Sequence, residues 1–164
     1  MKSVKGLLIR SAYVEDVPLL LQLIKGIAEY EHLSHLVSAT EDSLKRFLFG
    51  DKPFAEALIA EFDNVPAGFV VFFHNFSTFL GKPGLYIEDI YVLPQFRHKG
   101  IGGSLFMKCI QIAKDRDCGR IEWSVLHWNP ARKFYEKFGA QPIQDWIIYR
   151  LDEEMIEQIS LKKN

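Results

Sequence analysis

The chain has 164 residues, 48% of them hydrophobic and 25% charged, with a formal net charge of −1 at neutral pH. That length and balance suit one ordinary domain, residues 1–164, with a single substantial core. A charge near zero sets up no field toward nucleic acid or an anionic membrane, and no segment approaches the ~20 apolar residues of a membrane span. A cytoplasmic protein without nucleic-acid or membrane partners is expected.

Leu7 to Arg10 reads as a short strand. Val17, Leu20, Leu21, Ile24, Ile27 and Ala28 then recur at helical spacing, with Pro18 tolerated in the first turn, and predict an amphipathic helix to about Glu31. A shorter helix is signalled by Thr40 as N-cap, by Leu44, Phe47 and Leu48, and by Gly50 just past its end. The period then changes. Residues 55–62 and 67–76 are apolar, aromatic-rich runs joined by Asp63-Asn64-Val65-Pro66, which reads as a hairpin. A loop with Gly81, Pro83 and Gly84 leads into a strand over 85–92 that carries Glu88 and Asp89 in its middle. Adjacent strand residues point to opposite faces, so at least one of these carboxylates faces inward unless a bulge intervenes.

Val92 to Leu105 joins that strand to a helix through a basic, glycine-rich turn. Gly100, Gly102 and Gly103 keep Cβ atoms away from consecutive N–H groups at a helix N-terminus, which is the chemistry of an anion cradle, and Arg97 and Lys99 add charge beside it. The run lacks the Gly-Lys-Ser/Thr ending of a P-loop, and Leu105 stands where the dinucleotide fingerprint needs its third glycine. Ile101, Leu105, Cys109, Ile112 and Ala113 share one face of the helix, which Gly119 is expected to close. Residues 121–126 read as a strand, and Asn129 caps a further helix that has Pro130 at its first position and Gly139 at its end. Residues 146–151 read as a last strand, followed by an acidic tail that can continue as helix. The order argues for a mixed α/β domain of the α+β type, with one mostly antiparallel sheet flanked by helices. Cys109 and Cys118 are not spaced as a CxxC pair and read as reduced thiols. His32 and His35 could share a helix face, but the five histidines show no ligand pattern, and no metal site is expected.

Arg97-x-x-Gly100-x-Gly102 resembles the Arg/Gln-x-x-Gly-x-Gly/Ala signature of the GNAT superfamily of acyl-CoA-dependent N-acetyltransferases. Asn129 to Gly139 is similar to that family's Asn-x-x-Ala-x-x-Phe/Leu-Tyr-x-x-x-Gly, except that Asn129 stands two residues before Ala131 and not three. The resemblance covers nearly the whole chain. It implies acetyl-CoA as co-substrate, held by Arg97, His98, Lys99, Gly100, Ile101, Gly102, Gly103 and Ser104, by the backbone of Ile90, Tyr91 and Val92, and by Asn129 and Tyr135. It also implies that the strand ending at Val92 splays from the next one, and that Tyr135 is the general acid for the departing thiolate. Read from its own helix alone, Tyr135 is equally a buried core tyrosine.

The string Tyr86 to Val92 resembles the diamine acetyltransferase branch of the family, as do Tyr30-Glu31, Phe79-Leu80-Gly81-Lys82 and Asp145-Trp146. By that resemblance Glu88 is the base, acting through water. Tyr30, Glu31, Ser77, Phe79, Glu88, Asp89 and Trp146 line the acceptor site. Ser77-Thr78-Phe79 replaces the Asp-Pro-Trp of the polyamine enzymes and is similar to the sister branch that prefers thialysine, which implies a shorter amine. A homodimer is implied as well. Three alternatives stay open: an acetyltransferase for protein or peptide amines, a catalytically silent acyl-CoA-binding module, and a structural ion-pair role for Glu88 and Asp89.

Overall fold

The computed structural model describes residues 4–162 and contains two compact units that divide after Leu126. The first unit runs β1 (Leu7–Ser11), α1 (Val17–Tyr30), α2 (Glu41–Phe49), β2 (Glu56–Phe62), β3 (Val65–Ser77), β4 (Lys82–Val92), α3 (Ile101–Asp115) and β5 (Arg120–Trp123). Its five strands form one sheet in sequence order, antiparallel throughout except for the parallel pair β4 and β5. The mixed architecture with a mostly antiparallel sheet is therefore the one the chain adopts.

The local chemistry accounts for the main turns. Thr40 and Ser43 form a capping box in which each side-chain oxygen accepts the other's backbone N–H, at 3.1 and 2.9 Å. The β2–β3 hairpin is tighter than the sequence suggested. Only Asp63 and Asn64 form its loop, both left-handed with φ of 51° and 64°, so Val65 and Pro66 already belong to β3. Pro66 sits beside a register shift between Ala60 and Glu61, where its missing N–H is tolerated.

The sheet is covered on both faces. Leu20 and Leu23 of α1 pack with Ala57, Ile59, Phe69, Val71 and Tyr91 on one face. α3 packs against β2, β3 and β4 and buries Ile101, Leu105 and Cys109. Each fully buried side chain of this size contributes ~1.5–3 kcal/mol relative to exposure, which makes these contacts the main support of the site. Burial pushes the Cys109 thiol up to about 12, and the half-buried Cys118 thiol is raised by the same cause.

Several boundaries differ from the sequence reading. α3 ends at Asp115, not Gly119, because Asp117 turns left-handed (φ 52°) and Cys118 donates back to the Ala113 carbonyl at 2.8 Å. Gly119 answers a different need: a Cβ there would lie 2.9 Å from Leu80 Cδ1. β5 stops at Trp123, since its ladder with β4 ends there. His32 is left-handed (φ 61°) and His35 lies in the short turn Ser34–Leu36, so they share no helix face.

The second unit contains α4 (Ala131–Glu136) and α5 (Glu153–Leu161), the latter capped by Asp152 Oδ1 accepting from Met155 N–H at 2.9 Å. α4 is followed by Gly139 at φ 85°. The expected strand over 146–151 is absent. Its residues have strand-forming composition, yet no ladder partner exists for them among the described residues, and Trp146 and Tyr149 are 75% and 90% exposed. No helix among the described residues is long and apolar enough to cross a membrane.

Candidate functional site

The site begins with a one-residue irregularity in β4. Asp89 pairs with Val71 and Ile87 pairs with Phe72, so Glu88 has no partner and forms a bulge. In a regular ladder Glu88 would face Phe72 beneath α3. The bulge instead turns Ile87 into that core, leaves Glu88 exposed, and keeps Asp89 on the face of Val71 and Tyr91 that packs against α1. The device frees Glu88 from that apolar face, while Asp89 stays on the α1 side, where burial raises its carboxyl. Neither enters an ion pair among the described residues, so the structural ion-pair reading has no partner to rest on.

The same residue marks the parting of two strands. β4 pairs with β5 from Gly84↔Arg120 to Ile87↔Trp123 and no further. From Glu88 to Val92 no described residue forms a ladder with the β5-facing edge of β4, although the Val92 carbonyl accepts from Arg97 Nε at 3.0 Å, and an extended amide-bearing ligand could pair along this edge. Phe106 packs edge-on against Trp123 with ring centroids 5.3 Å apart, and Tyr86 and Ser124 share a hydroxyl hydrogen bond of 2.8 Å, fixing β5 where it departs.

At the end of β4 the chain enters the glycine turn. His98 and Gly100 are left-handed, with φ of 63° and 82°. Ser104 N–H reaches Gly100 O at 3.0 Å, whereas the N–H groups of Ile101, Gly102 and Gly103 have no acceptor within α3. A Cβ on Gly102 would meet only Val92 Cγ2, at an ordinary 3.6 Å, so the volume beside this glycine is open. An anionic group fits this cradle. The two cations of the turn lie on aromatic rings: the Arg97 guanidinium is 4.5 Å from the Tyr30 centroid and 5.6 Å from that of Tyr91, and Lys99 Nζ is 4.8 Å from the Phe62 centroid.

Glu31, Glu88 and Asp89 form the acidic group. Burial, then the charges of Glu88 and Glu31, push the Asp89 carboxyl up to about 6, and burial also raises Glu31. An unfolded aspartate titrates near ~3.9. Between pH ~4 and 6 the unfolded chain releases a proton that the folded chain keeps, so this group lowers stability as pH rises through that window and withholds the full amount above it. Asp89→Asn is accordingly expected to melt a few degrees above the native protein at pH 7, on the order of 1–2 kcal/mol, and to match it at pH 4. Scanning calorimetry at the two pH values checks this; a native protein that is the more stable at pH 7 would show that Asp89 has a favourable partner.

Not every expected site residue joins this group. Ser77 is 6% exposed, its Oγ accepts from Leu80 N–H at 3.3 Å, and its strand partner is Lys82. Seven strand positions separate Lys82 from Asp89, about 20 Å at the usual rise. Phe79, 93% exposed, lies in the same turn. The structure therefore places Ser77 and Phe79 apart from the carboxylates of their own chain. The cause is the length of the β3–β4 hairpin. Asn129, Tyr135 and Trp146 belong to the second unit. There Asn129 Oδ1 accepts from Ala131 N–H at 2.9 Å, which explains its shortened spacing as a helix cap, and the Tyr135 ring packs edge-on against Phe134 at 5.1 Å.

The sequence reading passed over Gly26. A Cβ there would lie 3.1 Å from the Tyr91 ring, so this glycine lets α1 settle on β4. The available signal was a glycine inside a helix, a position that costs ~1 kcal/mol against alanine and therefore marks a close approach.

β4 thus parts from β5 directly before the glycine-opened start of α3. The acetyltransferase (GNAT) family model matches residues 20–140, and the chain belongs to that family. Over 94% of its length it is 34% identical to the thialysine N-epsilon-acetyltransferase of Bos taurus, spanning 98% of that protein. Over 92% it is 33% identical to the L-ornithine N5-acetyltransferase of Arabidopsis thaliana, spanning 86% of it. Among solved structures, an integron cassette protein of V. cholerae matches with a TM-score of 0.78 at 22% identity, over 94% of this chain and 98% of the other, a likeness of fold.

Proposed function

We propose that this acyltransferase moves the acetyl group of acetyl-CoA to the primary amine of a small molecule, with a thialysine-like ω-amine or a short diamine preferred over a long polyamine. The observation that carries the reading is the parting of β4 from β5 at the bulged Glu88, directly before the glycine turn. When bound, acetyl-CoA supplies an activated acyl thioester. The N–H groups of Ile101, Gly102 and Gly103 suit its diphosphate, and the β5-facing edge of β4 across Ile90, Tyr91 and Val92, beyond the last rung shared with β5, suits its amide-bearing arm. His98, Lys99 and Ser104 flank that cradle, and the family signature adds Asn129 and Tyr135.

An alkylammonium with a reference pKa of ~10.4 arrives protonated at neutral pH, so the site must first attract a cation and then take a proton from it. Glu31 and Asp89 supply the negative charge; the Tyr30 ring carries Arg97 at 4.5 Å, and the resemblance to the diamine branch adds the Trp146 ring as a cation–π partner. Glu88 accepts the proton through water. Tyr135 holds the proton that the leaving sulfur takes. The preference for a short acceptor is supported by the close grouping of the three carboxylates and by the names of the two relatives, both of which act on the terminal amine of an amino acid. We place the enzyme in the cytoplasm, where two unpaired cysteines are at home, and as a homodimer, supported by the exposed apolar residues between Trp146 and Leu151.

A thiol-release assay over thialysine, ornithine, short diamines, spermine and a basic peptide tests the reading, with sedimentation of the same preparation reporting its assembly. The highest kcat/KM is expected for thialysine or a short diamine. Glu88→Gln is expected to lower kcat and move the activity optimum to higher pH. Spermine as best substrate would sink the acceptor assignment, a basic peptide as best substrate would favour a protein acetyltransferase, and acetyl-CoA binding without any acceptor would identify a silent module.

A further inference from the structure

Arg97 does not stand over the glycine cradle as a free counter-charge. Its Nε donates to the Val92 carbonyl at 3.0 Å, and its guanidinium lies against two tyrosines, 4.5 Å from the Tyr30 centroid and 5.6 Å from that of Tyr91. Tyr91 is buried in the core cluster beside Leu20, Leu23 and Phe69, and its ring passes within 3.1 Å of where a Cβ on Gly26 would be. Gly26 and Tyr30 are one helical turn apart. The C-terminal turn of α1 is thus seated on β4 by a glycine and fastened to the turn after β4 by one arginine. Next to Tyr30 stands Glu31. Two residues before Tyr91, on the same face of β4, stands Asp89, whose carboxyl responds to the charge of Glu31.

We propose that Arg97 is a positioning residue for the amine: it locks the end of α1, with Tyr30 and Glu31, against β4 opposite Asp89, and so sets the spacing of the acceptor carboxylates. The amine's identity rests on the acetyl-transfer reading above; the lock itself rests on geometry. Arginine suits the task because its planar group stacks and donates at once, which a lysine ammonium on a flexible stem does not reproduce. The negative end of the α1 dipole favours a cation at the same place.

The test compares Arg97→Lys, Tyr30→Leu, the double variant and Tyr30→Phe, with thialysine as acceptor. Arg97→Lys is expected to raise the KM for thialysine about fivefold to tenfold, with kcat and the calorimetric Kd for acetyl-CoA within about twofold of native. Tyr30→Leu is expected to behave alike, and the double variant to be no worse than the worse single one, because both substitutions open the same lock. An activity-independent readout accompanies these. The N–H groups of Glu31 and Leu33 bond to Ile27 O and Ala28 O at 2.9 and 2.8 Å. Their hydrogen exchange should quicken about tenfold in Arg97→Lys and Tyr30→Leu and stay at the native rate in Tyr30→Phe, which keeps the ring. Weaker acetyl-CoA binding with unchanged thialysine KM and unchanged exchange would make Arg97 a diphosphate ligand and overturn the proposal, as would effects that multiply in the double variant. A native protein that leaves every amine unacetylated would end the functional reading, while the exchange data would still decide the lock.

Discussion

Replacing Tyr135 by phenylalanine is expected to lower kcat by ~10²-fold, or ~2.7 kcal/mol of transition-state stabilisation, while acetyl-CoA binds with native affinity. The substitution keeps the ring that packs edge-on against Phe134 and removes only the hydroxyl. A phenol of reference pKa ~10 beside a thiolate whose acid has ~8.5 is close enough in strength to deliver its proton as the carbon–sulfur bond breaks. Steady-state kinetics with calorimetry on one preparation separate the two effects. Undiminished turnover in the variant would return Tyr135 to a packing role.

Gly102→Val should act on binding. Because a Cβ at this position meets only Val92 Cγ2 at 3.6 Å, the variant is expected to fold and melt like the native protein. Its branched side chain would nevertheless crowd the first-turn N–H groups of α3, where the proposed diphosphate would sit. The Kd for acetyl-CoA should rise by at least ~10²-fold, since several charge-assisted hydrogen bonds at roughly 1.5–3 kcal/mol each are lost together. Calorimetry and a thermal melt decide it. A folded variant with native affinity would move the cofactor elsewhere on the protein.

The features legible from sequence were those written in local chemistry. The capping box at Thr40, the start of α3 at Gly100 and the end of α4 near Gly139 all follow from side chains that satisfy or spare their own backbone. The pair Glu88–Asp89 announced an irregularity, though not which carboxylate would occupy it; that choice depends on Phe72, a residue on another strand. The strand expected over 146–151 failed for a related reason. Composition gives a segment the ability to pair, and a ladder needs a partner that composition does not supply. The separation of Ser77 from the carboxylates of its own chain was not legible, because the position of a loop residue depends on the full length of the hairpin beneath it, and β3 and β4 run on to Ser77 and Lys82. The Arg97 stack lay outside reach altogether, since it joins residues 67 positions apart in sequence.

The placement of the two cysteines has a bearing on how the protein survives its own chemistry. On the proposed reaction every turnover sets free a thiol, and coenzyme A can capture exposed thiolates as mixed disulfides under oxidising conditions. Attack on a disulfide needs the ionised sulfur. Cys109 is buried with its thiol pushed up to about 12, and Cys118 is half-buried and shifted in the same direction. In both, burial disfavours the thiolate, so the fold holds its own sulfurs back from the thiol that the proposed reaction releases.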